Sequence, residues 1–179
     1  MDYQSVIEFW FNETDEKFWW AKDDEFDNQI RERFGDYHAA AVTGDLFDWR
    51  SAPEGRLAEI IVLDQFSRNM FRNMPWAFAW DGMALVLAQE AVNCKADQAL
   101  DNTKRAFMYL PYMHSESAKI HEQAVTLFNV PGMEDNYQFE LKHKEIIDRF
   151  GRYPHRNELL GRESTDEEIE FLKQPGSSF

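Results

Sequence analysis

Ser51-Ala52-Pro53-Glu54-Gly55-Arg56-Leu57-Ala58-Glu59-Ile60-Ile61-Val62-Leu63-Asp64-Gln65-Phe66-Ser67-Arg68-Asn69-Met70-Phe71-Arg72-Asn73 is the stretch on which the fold turns. Ser51 stands as a cap, Pro53 falls in the first turn and Glu54 is placed to complete a capping box, so a helix is predicted from Pro53 to about Asn73, before Pro75. Its apolar face is Ile60, Leu63, Phe66, Met70 and Phe71. Gln65, Arg68, Asn69 and Arg72 line the opposite side at helical spacing. Leu57, Ile61 and Val62 lie on that polar side one turn earlier, so the helix reads as covered nearly all round. Its polar stripe must then be satisfied by other helices or line a groove. Asp64, four residues before Arg68, is spaced for a same-helix ion pair.

Outward from this stretch the same period recurs. Val6, Phe9 and Trp10 form an apolar edge, and Phe18, Trp19 and Trp20 are read as locking the amino terminus onto the core. Phe26, Ile30, Phe34, Tyr37 and Ala41 mark a helix stopped by Gly44, with a bend expected at Gly35. Asp81 is read as the cap of a helix whose Ala84, Ala88 and Ala91 allow a neighbour to approach closely. Further helices are expected over 104–110, with a turn at Pro111, then over 115–128, 134–150 and 154–160. Ser164 and Thr165 with Glu167 and Glu168 give a doubled capping box for a last helix carrying Ile169 and Leu172. No strand survives, and no linker divides the chain. The expectation is an all-α domain over 1–179 of about eight antiparallel helices, without a clean 34-residue repeat.

Composition agrees. Hydrophobic residues make up 44% of the 179 positions and aromatics 15%, enough to exclude disorder. Eight Gly and six Pro are too few for a turn-dense all-β chain. With 19 basic against 33 acidic residues the formal charge is −14, which argues against nucleic acid and anionic lipid as partners. Met83 to Ala88 is the longest aliphatic run, far below the roughly 20 residues of a membrane span. The start Met1-Asp2-Tyr3-Gln4 lacks the basic and apolar features of an export signal. Cys94, the one cysteine, is expected to be a buried thiol in a reducing cytoplasm.

Two more polar residues break apolar patterns. Glu116 interrupts the stripe Met113, Ile120, Ala124 and Leu127, and His143 interrupts Phe139, Ile146 and Phe150. A Glu on such a face demands a cation, for which Arg68 is one candidate. Arg149-Phe150-Gly151-Arg152-Tyr153-Pro154-His155-Arg156-Asn157 carries three arginines and a histidine with no acid, at a helix end where an anion could be received. Alternatively those arginines cap carbonyls and pair with surplus carboxylates. Phe150 is expected in the core, with Arg152 and Arg156 directed toward Glu116 or Asp64. His114 and Glu116 could supply a base or two metal ligands, but the phosphate-loop, dinucleotide, zinc-protease and nucleophile-elbow motifs are missing, so neither metal nor cofactor is expected.

Val6 to Phe11, Leu63 to Arg72, Tyr109 to Glu116 with Gln123, Leu127 and Phe128, His143 with Phe150 to Asn157, and Leu160 to Thr165 together resemble the bacterial domain-of-unknown-function family 924. That resemblance implies a right-handed helical array similar to tetratricopeptide-repeat proteins, without an established activity or catalytic residues. The leading expectation is a scaffold that binds an anionic small molecule or an acidic peptide end. Its candidate residues are Asp64, Gln65, Arg68, Asn69, Arg72, His114, Glu116, His143, Arg152, His155, Arg156 and Asn157. The alternatives are an enzyme with His114 or His155 as base oriented by Glu116 or Asp64, and a structural protein whose polar motifs only tie helices together.

Overall fold

In the computed structural model, which describes residues 1–178, every regular element is helical. Helix α1 (Tyr3–Glu8) runs into a π-helical turn, Phe9–Glu13, and α2 spans Asp24–Thr43. Helix α3 (Pro53–Ile61) is prolonged by a π-helical segment, Val62–Phe66, and a last α-turn, Ser67–Met70. There follow α4 (Asp81–Asn93), α5 (Asn102–Met113), α6 (Ala118–Phe128), α7 (Glu134–Phe150) and α8 (Asp166–Leu172). Successive helices from α3 to α7 pack side by side, while α1 and α2 lie against the long α3.

Burial follows the apolar spacing. Phe26, Ile30, Phe34 and Ala41 are buried on α2, and Gly44 ends that helix in the left-handed conformation at φ 80°. Leu57, Ile61 and Val62 are fully buried, so α3 is covered nearly all round. Trp10 packs edge-on against Phe66 and Phe107, which anchors the amino-terminal turn in the main core. Ala84, Ala88 and Ala91 are fully buried where α4 meets α3 and α5. Gly55 is required by a close approach, because a Cβ there would lie 2.0 Å from the Trp49 carbonyl oxygen. Thr165 and Glu168 form a complete capping box on α8.

Several local expectations are corrected. Ala52, not Ser51, is the N-cap of α3; the Ser51 hydroxyl donates to Asp48 O, and Glu54 accepts from Lys104 Nζ at 2.6 Å instead of closing a box. Asp81 does not cap α4 but opens it and accepts from two arginines. Pro111 lies inside α5, close to its end. Helix α6 begins at Ala118, and after Pro154 there is only a 3₁₀ turn to Arg156. Cys94 is exposed at the end of α4, its thiol 3.4 Å from Ala91 O. Phe139 and Trp20 are half or more exposed, and Phe150 is half-buried against Phe171. Among the described residues no helix is long and apolar enough to cross a membrane.

Candidate functional site

The π-helical segment of α3 sits at the centre of the site. Each π turn holds an extra residue, which rotates the downstream residues relative to an ideal α-helix, and such turns recur at functional sites. Here the segment carries Asp64 inward, where the carboxylate is 1% exposed. Three groups hold it: His114 Nδ1 at 2.8 Å from Oδ1, Gln65 Nε2 donating to Oδ2 at 2.6 Å, and the Arg68 guanidinium at 3.2 Å. A carboxylate only accepts, so His114 Nδ1 carries the proton and Nε2 is left as an acceptor. His114 takes its position as the C-cap of α5.

Arg68 also donates twice to Asp81, at 2.9 Å to each oxygen. Arg156 shares that carboxylate through a single bond of 3.2 Å. Gly151, left-handed at φ 67°, stops α7, and the turn through Pro154 then brings Arg156 back over the protein. Its guanidinium lies 4.6 Å from the ring centroids of both Phe78 and Tyr153 and is 8% exposed. Among the described residues its Nε has no hydrogen-bond partner. A guanidinium has five donors, and of these the Nε–H is buried without a partner.

These groups open onto a cleft of about 690 Å³. Seven candidate residues line it: Gln65, Arg68, Arg72, His114, His143, His155 and Arg156, with Asp64 directly behind His114. Among the described residues the lining includes four lysine or arginine side chains, Lys22, Arg68, Arg72 and Arg156, against one acid, Asp135. The three arginines are paired with Asp64, Asp81 and Asp27 behind the lining, so the cleft presents carboxylate-held guanidinium groups.

The other four candidates lie outside the lining. Asn69 and Arg72 both donate to Asp27, so only Arg72 reaches the cleft edge. Glu116 accepts two bonds from Arg162, at 2.6 and 2.9 Å, and one from the Tyr153 N–H at 2.7 Å; its cation is Arg162 and not Arg68. Arg152 turns away to Glu168 at 2.7 and 2.8 Å, against the expectation that it would face Glu116 or Asp64. Asn157 is 1% exposed and ties Arg162, Ser164 and Glu168 together. This second network fixes the turn that carries Arg156 and does not itself face the cleft.

Charge at the site is set by burial and by neighbouring charges. Burial raises the Asp64 carboxyl, but Arg68 and His114 outweigh it and hold the group well below the usual carboxylate range. Burial lowers the proton affinity of Arg156, and the charge of Arg68 adds to this against the pull of Asp81. Burial pushes His114 and His38 down, His155 to about 4 and His143 to about 3. An unfolded histidine binds its proton below about pH 6.5. Between that pH and 4 or 3 the unfolded state therefore holds more protons than the native one. Stability is full above pH 6.5 and is expected to fall toward pH 4, by up to about 1.4 kcal/mol per pH unit for each such histidine. Urea titrations at pH 7, 6 and 5 check this, and a midpoint constant across them contradicts it.

Five contributors carry no usable signal in the sequence. Asp81 bears the ordinary signature of a helix start, Phe78 ends a short 3₁₀ turn and Lys22 sits in an irregular segment, neither with a pattern, and Trp20 stands among aromatics that read as core. Tyr153 lies inside the Arg149–Asn157 motif, where nothing marks it as buried, and its hydroxyl donates to Met113 O at 2.5 Å. Behind it, His121 Nδ1 and Glu140 Oε1 meet at 2.7 Å, fully buried. Among the described residues no cluster of three or more His, Cys, Asp or Glu is placed to hold a metal ion.

The family described as "Bacterial protein of unknown function (DUF924)" matches residues 6–176. The solved structure of the protein of unknown function ATU0120 from Agrobacterium tumefaciens is 37% identical in sequence, with a TM-score of 0.91 over 96% of each chain. No curated protein matches this chain.

Proposed function

The chain belongs to the DUF924 family of bacterial proteins, and from that premise we propose that its cleft binds an anionic small molecule or an acidic peptide end. Arg156 carries the reading. Held between the Phe78 and Tyr153 rings with one bond of 3.2 Å to a carboxylate it shares with Arg68, this cation lines the cleft, where an anion would supply acceptors to the terminal Nη groups of its guanidinium. Arg68 lies beside it, held rigid by Asp64 and Asp81, and neutral imidazoles of His155 and His143 border the same space. The lone cysteine, which has no disulfide partner within the chain, supports a reducing cytoplasm as the setting.

The test is a thermal-shift series with acetate, citrate, inorganic phosphate and an acidic tripeptide at constant ionic strength, on the parent and on Arg156→Met. A ligand at a hundred times its Kd adds about 2.7 kcal/mol. For a chain of this size that raises Tm by about 5–10 °C, and the gain should vanish in the variant. Failure of every anion to raise Tm, or an equal rise in Arg156→Met, removes the proposal.

One observation favours a second reading, in which the site is catalytic. The Asp64–His114 contact of 2.8 Å fixes the imidazole as a base at the cleft wall. A bound anion that needed a proton removed would meet it there. Loss of turnover without loss of binding in His114→Gln is the outcome that separates catalyst from receptor.

A further inference from the structure

We infer that the anion taken by this cleft is amphiphilic, a single carboxylate carried on an apolar acyl or aromatic body. The inference rests on the anion-binding reading and adds the identity of the rest of the ligand. Size comes first. A cleft of about 690 Å³ holds the volume of many waters at about 30 Å³ each, far more than a small inorganic anion displaces, and lies in the range of organic-ligand sites.

The lining then divides by chemistry. Arg156 and Arg68 meet on Asp81, and the Tyr153 ring brings the His155 imidazole, 5.6 Å away, to the same side as Arg156, 4.6 Å away. Beyond them the wall is Leu110, Met113, Phe139, Leu159 and Trp20. Phe139 is 50% exposed and Trp20 63% exposed, large apolar surfaces left facing this space. Trp20 is not loose, because its indole stacks on Phe107 at 5.7 Å with the rings 10° from parallel. Apolar side chains fixed in contact with water gain most from a ligand that covers them.

Direction and length come from α7. Asn136, Phe139 and His143 lie on one face of that helix and all line the cleft, so they mark a wall of about 10 Å at 1.5 Å per residue, with the Phe139 ring between two polar side chains. His143 lies 5.8 Å from the Tyr153 ring, and about two turns away on the same helix stands Asp135, an acid of the lining that would repel a second anionic group. A smaller hollow of about 280 Å³ continues there, sharing Trp20, Leu110, Asp135 and Asn136 with the cleft. One charged head, an unbranched or flat body, and an uncharged tail end fit this order of surfaces.

Calorimetric titration of the full chain with acetate, hexanoate, decanoate below its aggregation concentration, and 1-decanol tests it. Affinity is expected to climb from acetate to decanoate by up to about fourfold for each methylene buried. Decanol should bind at least tenfold more weakly than decanoate. Phe139→Ser, a change at an exposed position that the fold does not need, should flatten the climb while leaving acetate unchanged. Acids that bind equally at every length overturn the amphiphilic ligand but leave the anion site standing. Decanol binding as tightly as decanoate overturns the anion site with it, and binding of none of the three acids overturns the carboxylate ligand.

Discussion

Asp64→Ala is expected to lower the free energy of unfolding by about 3–5 kcal/mol, the scale for breaking a buried ionic group by removing one partner. The carboxylate is 1% exposed and joins two helices: Arg68 and Gln65 on its own, and His114 at the end of α5. Without it, Arg68 keeps Asp81, but His114 Nδ1–H loses its acceptor in a place water barely reaches. Equilibrium urea unfolding at pH 7 measures the loss. A change below about 1 kcal/mol, the scale of an exposed pair, contradicts the buried cluster described here.

Arg156→Met should behave in the opposite way. Stability is expected to hold, because Asp81 stays paired with Arg68, while anion binding falls at least tenfold. The methionine would lie between Phe78 and Tyr153, where a thioether packs well against rings. Asp81 would keep both of its 2.9 Å bonds to Arg68. A purely structural network predicts the reverse, since removing a cation that ties helices together costs stability and leaves ligand binding untouched. Parallel urea and titration curves on this variant separate the two accounts, because a binding residue and a tie move different measurements.

The helices are legible in the sequence because burial imposes the 3.6-residue period directly. Phe26, Ile30 and Phe34 announce α2, Gly44 its end, and Thr165 with Glu168 the start of α8. The polar stripe of α3 is legible for the same reason, since Leu57, Ile61 and Val62 betray its cover. Partnership is not legible. Glu116 and Arg162 are 46 residues apart and Arg156 and Asp81 are 75 apart, distances over which no local pattern operates. Nor does a 3.6-residue period reveal a π turn, which adds a residue without changing composition, so the inward turn of Asp64 is invisible before folding. Trp20 and Cys94 mislead for one reason: an apolar residue in an apolar neighbourhood reads as core until the neighbouring helices are placed.

The central claim is that Arg156 takes an anion in the cleft, and its guanidinium is the group to watch, with the Nε–H resonance as its reporter. Nitrogen-15 NMR of the arginine side chains during separate titrations with acetate and inorganic phosphate reads it directly. The account predicts that the Arg156 Nε–H resonance moves with saturation, while that of Arg162, already bonded to Asn157 at 2.9 Å, stays in place. An Arg156 signal that does not move with either anion, or moves no further than that of Arg162, contradicts it.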